Sequence, residues 1–348
     1  MSPFSRGIGD GTSMDIEIPR PKPSNAPSRW LAMQGAQSMM ALANWPSYWM
    51  ARFLGRGSSS LRFRQGFSFP KPTPNEAGTL LLLGAHGVKF SDAPDPVRLT
   101  WGLDSRDRII TTPTGIRFHL PSIDGLVLAE TYLYDIHFCG ADLHGKTVVD
   151  VGANVGDTAL YFAERGAEVL AFEPDPMNFQ GLLANLELNP SLRPRVHPFP
   201  FAVGTDGEVA FHVGLGGGSG MYESAGTVRS VKSVSLETLL KGRDRVYLLK
   251  SDCKGAEYEL ARQPAMRRFD HLAIEYYWIS PGLPPGEAPL TLLLERVREL
   301  GFGRWRAFKH NSTPLPLSQH GILEADFDPA GLAPRPGSDG STSERQGS

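Results

Sequence analysis

A mainly parallel α/β sheet with helices on both faces is the fold class that this 348-residue sequence predicts. Three observations lead there. From Thr147 onward, short apolar runs alternate with segments of helical spacing, the pattern of repeated β-α-β units. The first run, "TVVDVG" at 147–152, passes directly into a Gly-Ala-Asn-Val-Gly loop and then into a helical segment. Acids also recur near the carboxyl ends of the runs, at Asp150, Glu173, Asp252 and Glu275. Ligands of open parallel sheets lie beyond those ends, where the strand order reverses, so the four acids are expected to share one rim.

The elements follow in order. Residues 1–29 and 331–348 have the composition of solvated, disordered tails, and the first lacks the apolar stretch of a signal peptide. Trp30 to Leu54 carries few charges, but Gln34, Gln37, Ser38, Asn44 and Pro46 interrupt it, which argues against a bilayer span. A packed amphipathic helix broken at Pro46 is expected; peripheral membrane contact through 30–54 is the alternative, with few cations beyond Arg52 and Arg56 to favour it. Short apolar runs separated by Gly, Pro and Asp turns make 30–146 an N-terminal cap lobe of strands and helices. Within it, "GLVLAETYLYDIHF" at 125–138 has helical spacing.

The main domain is expected over 147–330. Its helices are predicted at 156–165, at "NFQGLLANLELN" and at about 257–268 and 289–299, and its strands at "EVLAFEP", "RVHPFPFAVG", "EVAFHV", "VYLLKSD" and "HLAIEYYW". The glycine-rich stretch 214–220 reads as a lid over the cleft or a plain linker. With 41% hydrophobic and 21% charged residues the composition is globular. A formal net charge of −2 supplies no field to recruit nucleic acid. Two cysteines, Cys139 and Cys253, give no disulfide framework and fit a reducing, cytoplasmic setting. The histidines show neither H-x-x-x-H nor H-E-x-x-H spacing, so no metal site is expected.

The loop at 152–157 has the place of a dinucleotide fingerprint but not its chemistry. Asn154 and Asp157 stand where G-x-G-x-x-G has glycines, and no Gly-Lys-Ser/Thr follows. Asp150 and Asp157 flank the loop and would repel a pyrophosphate; a cationic ligand suits them better. Glu173, at the tip of the second strand, is placed to accept two hydrogen bonds from a ribose diol. A positively charged, phosphate-free cofactor with a ribose describes S-adenosylmethionine.

The stretches "VVDVGANVGDTALYFAERGAEVLAFEPDPMNFQGLLANLELN", "FAVG", "VSLETLL", "LLKSDCKGAEYEL" and "LAIEYYW" resemble the FkbM family of S-adenosylmethionine-dependent methyltransferases, over about residues 120–305. The resemblance implies a Rossmann-like class I methyltransferase fold and methyl transfer, typically to a hydroxyl of a sugar, glycan or natural product. By position it implies that Asp150, Gly152, Asn154 and Gly156 hold the methionine part, with Asp157 beside them, and Glu173 the ribose. It maps a later motif onto Lys250, Asp252, Gly255, Ala256 and Glu257, and places Glu130 and nearby aromatics such as Tyr134 along the cofactor pocket, where surface solvation is the competing reading. Two positions depart from the family pattern: Ser251 replaces an apolar residue, and Lys254 replaces a glutamate and inverts a charge near the presumed acceptor site.

Asp252 and Glu275 are the candidate catalytic residues, since a hydroxyl acceptor gains from a carboxylate that takes its proton. Asp252 reads alternatively as a helix cap, Glu257 as a first-turn dipole partner, and the aromatics after Glu275 as core. His271 begins the strand of Glu275 and belongs at the far end of the sheet. N-methylation, or a cofactor-binding scaffold without transfer activity, remain as alternatives to O-methylation.

Overall fold

In a computed structural model of the protein, residues 16–18, 36–53, 60–137, 143–214, 227–254, 256–277, 289–310 and 316–328 are described. The expected C-terminal tail, most of the N-terminal one, Gly255, Trp278 and residues 215–220 of the glycine-rich stretch lie outside them. Within the expected N-terminal tail, β1 (Ile16–Ile18) is a strand. Residues 36–41 are helical, and α1 (Trp45–Phe53) follows. Pro46 therefore starts a helix instead of breaking one, since proline lacks only an N–H that the first turn would leave unpaired. Next come the short pair β2 (Leu61–Arg62) and β3 (Ser68–Phe69), then α2 (Pro74–Ala85), entered through a capping box formed by Thr73 and Glu76. A four-stranded sheet contains β4 (Lys89–Ser91), β5 (Thr100–Asp104), β6 (Ile109–Thr111) and β7 (Arg117–His119). Helix α3 (Gly125–Tyr132), capped by Asp124, stops six residues short of the expected 138.

The central sheet then builds from β8 (Thr147–Val151), α4 (Asp157–Glu164), β9 (Glu168–Phe172), α5 (Pro176–Leu188) and β10 (Val196–Phe199). The expected strand 195–204 is split, because β11 (Ala202–Val203) leaves it for a small sheet with β12 (Gly207–Val213) and β13 (Thr227–Val234). After the short α6 (Leu236–Leu239) come β14 (Val246–Ser251), α7 (Glu257–Leu260), β15 (Phe269–Tyr276), α8 (Pro289–Glu299), β16 (Arg304–His310) and β17 (Gly321–Asp326). The expected helix at 257–268 is only the single turn α7 followed by a 3-10 turn at Pro264–Arg268. Pro264 cannot extend the hydrogen-bonded ladder.

The order β1-β16-β17-β15-β14-β8-β9-β10 is parallel except at β17, which runs against both β15 and β16. Strand order reverses between β8 and β14, so the crevice lies there. Alternate residues point to opposite faces. Val148, Val169 and Leu248 enter one core, Val149, Leu170 and Leu249 the other. The first core also takes Leu80, Trp101, Phe118 and Leu128, so 60–132 packs onto one face of the sheet. Side-chain amides fasten that packing: Asn185 accepts from the His119 N–H at 2.9 Å, and Asn189 bonds both the N–H and the carbonyl of Arg117.

Candidate active site at the strand ends

The glycine loop begins where β8 runs out. Gly152 and Ala153 both donate to the Phe172 carbonyl at 3.0 Å, which ties the loop to the end of β9. Gly152 has φ +79°, and a Cβ there would lie 2.1 Å from the Asp252 carbonyl oxygen. The close neighbour that excludes a side chain is thus the chain itself, at the adjoining end of β14. Asn154 (φ +49°) and Gly156 (φ +86°) also take left-handed conformations, and Gly156 caps α4.

Asp150 and Glu275 lie next to the last residues of β8 and β15, and Glu173 and Asp252 directly follow the neighbouring β9 and β14, as the shared rim requires. Their environments differ. The Asp252 side chain is 26% exposed, whereas Asp150, Glu173 and Glu275 are at 4% or less. Asp150 faces inward. Lys250, its register partner on β14, sets Nζ 3.0 Å from Asp150 Oδ1, off the angle of an aligned hydrogen bond, and Thr158 Oγ1 donates to Oδ2 at 2.7 Å. Lys250 Nζ also donates to the Gly152 carbonyl at 2.9 Å. Burial alone would lower the lysine pKa, but the Asp150, Asp252 and Asp157 carboxylates outweigh it and raise the value above the ordinary one.

Glu173 accepts the Asn154 and Asp175 N–H groups, one on each oxygen, both at 2.8 Å. Burial nevertheless pushes its pKa up to about 8. Asp157 opens α4, accepts from Thr131 Oγ1 at 3.1 Å, and is pushed up by burial to about 7. Its Oδ1 is buried with no hydrogen-bond partner among the described residues.

The second group surrounds Tyr277. Lys254 Nζ lies 3.2 Å from Asp252 Oδ1 and also donates to the Tyr277 phenol oxygen. That phenol is 2.8 Å from Glu275 Oε1 and 3.3 Å from Asp252 Oδ1. His320 Nε2 stands 3.3 Å from the same Glu275 oxygen, and its ring lies 4.6 Å from the Tyr277 ring, tilted by 31°. Lys254, at φ +51°, is 20% exposed; burial would lower its pKa, and the charges of Asp252, Glu275 and Glu130 reverse the sign. The field of buried Glu130 thus reaches this group, acting on Lys254 and Tyr277. Glu257 is fully buried and accepts the Tyr277 N–H at 3.0 Å, while Tyr258 donates to the Tyr277 carbonyl at 2.7 Å, so both hold the aromatic residue in place. His271 pairs with Asp326 at the opposite end of β15. Tyr277 follows Glu275 closely enough to be suspected from sequence, but His320 carries no local signal. It arrives through the antiparallel return of β17.

Residues 150–288 match the family model described as the methyltransferase FkbM domain. This segment is an FkbM methyltransferase domain. With it come S-adenosylmethionine as methyl donor and a class I methyltransferase fold, whose sheet is the one described above. Solved structures similar to the chain include a TehB-like S-adenosylmethionine-dependent methyltransferase from Corynebacterium glutamicum, with 14% identity over 53% of this chain and 82% of that one and a TM-score of 0.29. An O-methyltransferase family protein from Burkholderia thailandensis shares 11% identity over 59% of this chain and 57% of its own, with a TM-score of 0.35. No curated protein sequence matches the chain. Among the described residues no helix is long and apolar enough to cross a membrane.

Proposed function

We propose that the FkbM methyltransferase domain of this chain methylates a hydroxyl oxygen of an uncharged, hydroxyl-rich acceptor such as a sugar, a glycan or a natural product, with Asp252 taking the proton. One observation carries this reading: of the four acids in the row, Asp252 alone combines partial exposure with a place beside the strand-order reversal. The residues around the glycine loop fit the methyl donor. The orphaned Asp157 Oδ1 offers a buried oxygen to a cationic group, and Glu173 Oε2, which accepts one N–H where Oε1 accepts from both Asp175 and Asn178, suits a ribose hydroxyl. Glu173, Asp157 and the backbone of 152–156 would hold S-adenosylmethionine, with Asp150, locked to Lys250, bracing the loop from below. When bound, that molecule supplies a methyl group already activated on a sulfonium.

The chain's own part is to orient the acceptor, exclude water and take the proton. Asp252 Oδ accepts the hydroxyl hydrogen, and Lys254 stabilises the negative charge nearby. Lys254 also favours oxygen over nitrogen, because an amine protonated at neutral pH would meet an ammonium close to Asp252. We read 30–146 as the part that helps select the acceptor. Asp252→Asn should keep donor affinity within severalfold and lose about a hundredfold in S-adenosylhomocysteine formation, the low end for loss of a general base. Undiminished turnover in that variant would remove Asp252 from the chemistry. Absence of product with the wild-type chain across sugars, glycans and extracts would favour the scaffold alternative.

A further inference from the structure

Behind Asp252 the polar side chains continue inward in one line. Asp252 Oδ1 is 3.3 Å from the Tyr277 phenol oxygen, that oxygen is 2.8 Å from Glu275 Oε1, and Glu275 Oε1 is 3.3 Å from His320 Nε2. Exposure falls along it, from the part-exposed aspartate to a buried Glu275 and a buried His320. The phenol hydrogen serves Glu275, the nearer carboxylate. Its oxygen accepts from Lys254 Nζ, and it can accept from Asp252 as well only when that carboxyl carries a proton; with Asp252 ionised the phenol hydrogen lies within reach of both carboxylates. Tyr277 is itself pinned by Glu257 and Tyr258.

We propose that Asp252, Tyr277 and Glu275 form a proton relay, with His320 as the positioning residue at its inner end; this rests on Asp252 being the group that takes the acceptor's proton. The step balances without any co-reactant. Protonated Asp252 gives its hydrogen to the Tyr277 oxygen as the phenol gives its own to Glu275 Oε1. One carboxylic O–H bond breaks and another forms, the phenol is unchanged, and the carboxylate charge moves from Glu275 to Asp252. Geometry gives the direction: Asp252 reaches solvent and Glu275 lies buried behind the phenol, so the proton is carried inward from the exposed carboxyl. His320 holds Glu275 Oε1 in line while it is ionised. The relay restores the Asp252 carboxylate at the acceptor face and keeps the released proton away from the oxygen that lost it.

Infrared difference spectra of the full-length, ligand-free protein, recorded through an acid titration, report where the proton rests. Separate 13C labelling of aspartate and glutamate carboxyl groups distinguishes the two residue types without any substitution. The charged and titratable neighbours to be accounted for are Lys254 and Asp252 after β14, Glu130 on α3, Tyr277 after β15 and His320 before β17. As pH falls, the relay requires a carboxylic-acid band of glutamate origin, absent in Glu275→Gln, to appear before that of Asp252. It also requires Asp252→Asn to shift this band more when Tyr277 is present than in the Tyr277→Phe background, where only the through-space effect of the lost charge remains. A proton that settles on Asp252 first, or a Glu275 band indifferent to Asp252→Asn with the phenol in place, would overturn the relay. Either result leaves Asp252 as the proton acceptor untouched, since that role fails only through undiminished turnover of Asp252→Asn.

Discussion

The two halves of the crevice hold their charges in different ways. Around the glycine loop, Asp150, Asp157 and Glu173 are buried and held largely by backbone amides, hydroxyls and one buried lysine. Around Tyr277, charged side chains contact one another, and two of them, Asp252 and Lys254, reach solvent. A rigid, pre-formed pocket suits a ligand common to a whole family. A side-chain network with exposed members can be changed residue by residue. Substitutions should therefore register mainly as stability near the loop and mainly as turnover near Tyr277.

The largest effect is expected from Lys250→Met. It leaves Asp150 as an uncompensated buried charge and frees the Gly152 carbonyl, a loss of about 3–5 kcal/mol by the usual penalty for breaking a buried pair. Denaturant unfolding should show it. Gly152→Ala comes next: its methyl would press on the Asp252 carbonyl at a backbone angle that disfavours side chains, for about 2–4 kcal/mol. By contrast Lys254→Met, at a half-open pair, should shift unfolding by no more than about 1 kcal/mol while lowering turnover. If Lys254→Met destabilised as strongly as Lys250→Met, the contrast between the two regions would collapse.

Much of the loop side was legible in the sequence because its parts are local. Asp150, Gly152, Asn154, Gly156 and Asp157 sit within one strand-turn-helix, and Glu173 follows at the next strand end. The inward turn of Asp150 was not legible, since its partner Lys250 belongs to another strand, and a lysine inside an apolar run does not announce its own burial. Strands β16 and β17 escaped for a similar reason. "RWRAFKH" and "GILEAD" look too charged for a sheet until Arg306 and Glu324 pair across them. His320 depends on that pairing for its place beside Glu275. Gly152, which the resemblance puts at the methionine part, has its side-chain space taken by the neighbouring strand end. A glycine signals close approach without naming what approaches.

A further effect is expected with pH. Asp157 and Glu173 have pKa values raised by folding, to about 7 and about 8. Each binds its proton more tightly folded than unfolded, so its contribution to stability is full below the unfolded value and fades as pH rises. The fading runs from about 4 to 7 for Asp157 and from about 4 to 8 for Glu173. The ligand-free protein should lose stability across that window, less so in Glu173→Gln. A donor that hydrogen-bonds or pairs with the charged carboxylates should then release protons on binding near pH 6.5, and far fewer at pH 9. Titrations in two buffers of different ionisation enthalpy measure that number.

The division of labour is tested most directly by calorimetric titration of S-adenosylhomocysteine into the wild-type chain, Glu173→Ala and Asp252→Asn, each first shown to be folded. Removing the Glu173 carboxylate should weaken binding by at least about 1.5 kcal/mol, the lower value for a hydrogen bond to a charged group, while Asp252→Asn binds within severalfold of wild type. Unchanged affinity in Glu173→Ala, with binding lost in Asp252→Asn, would contradict the assignment of the buried acids to the donor and the exposed one to the acceptor.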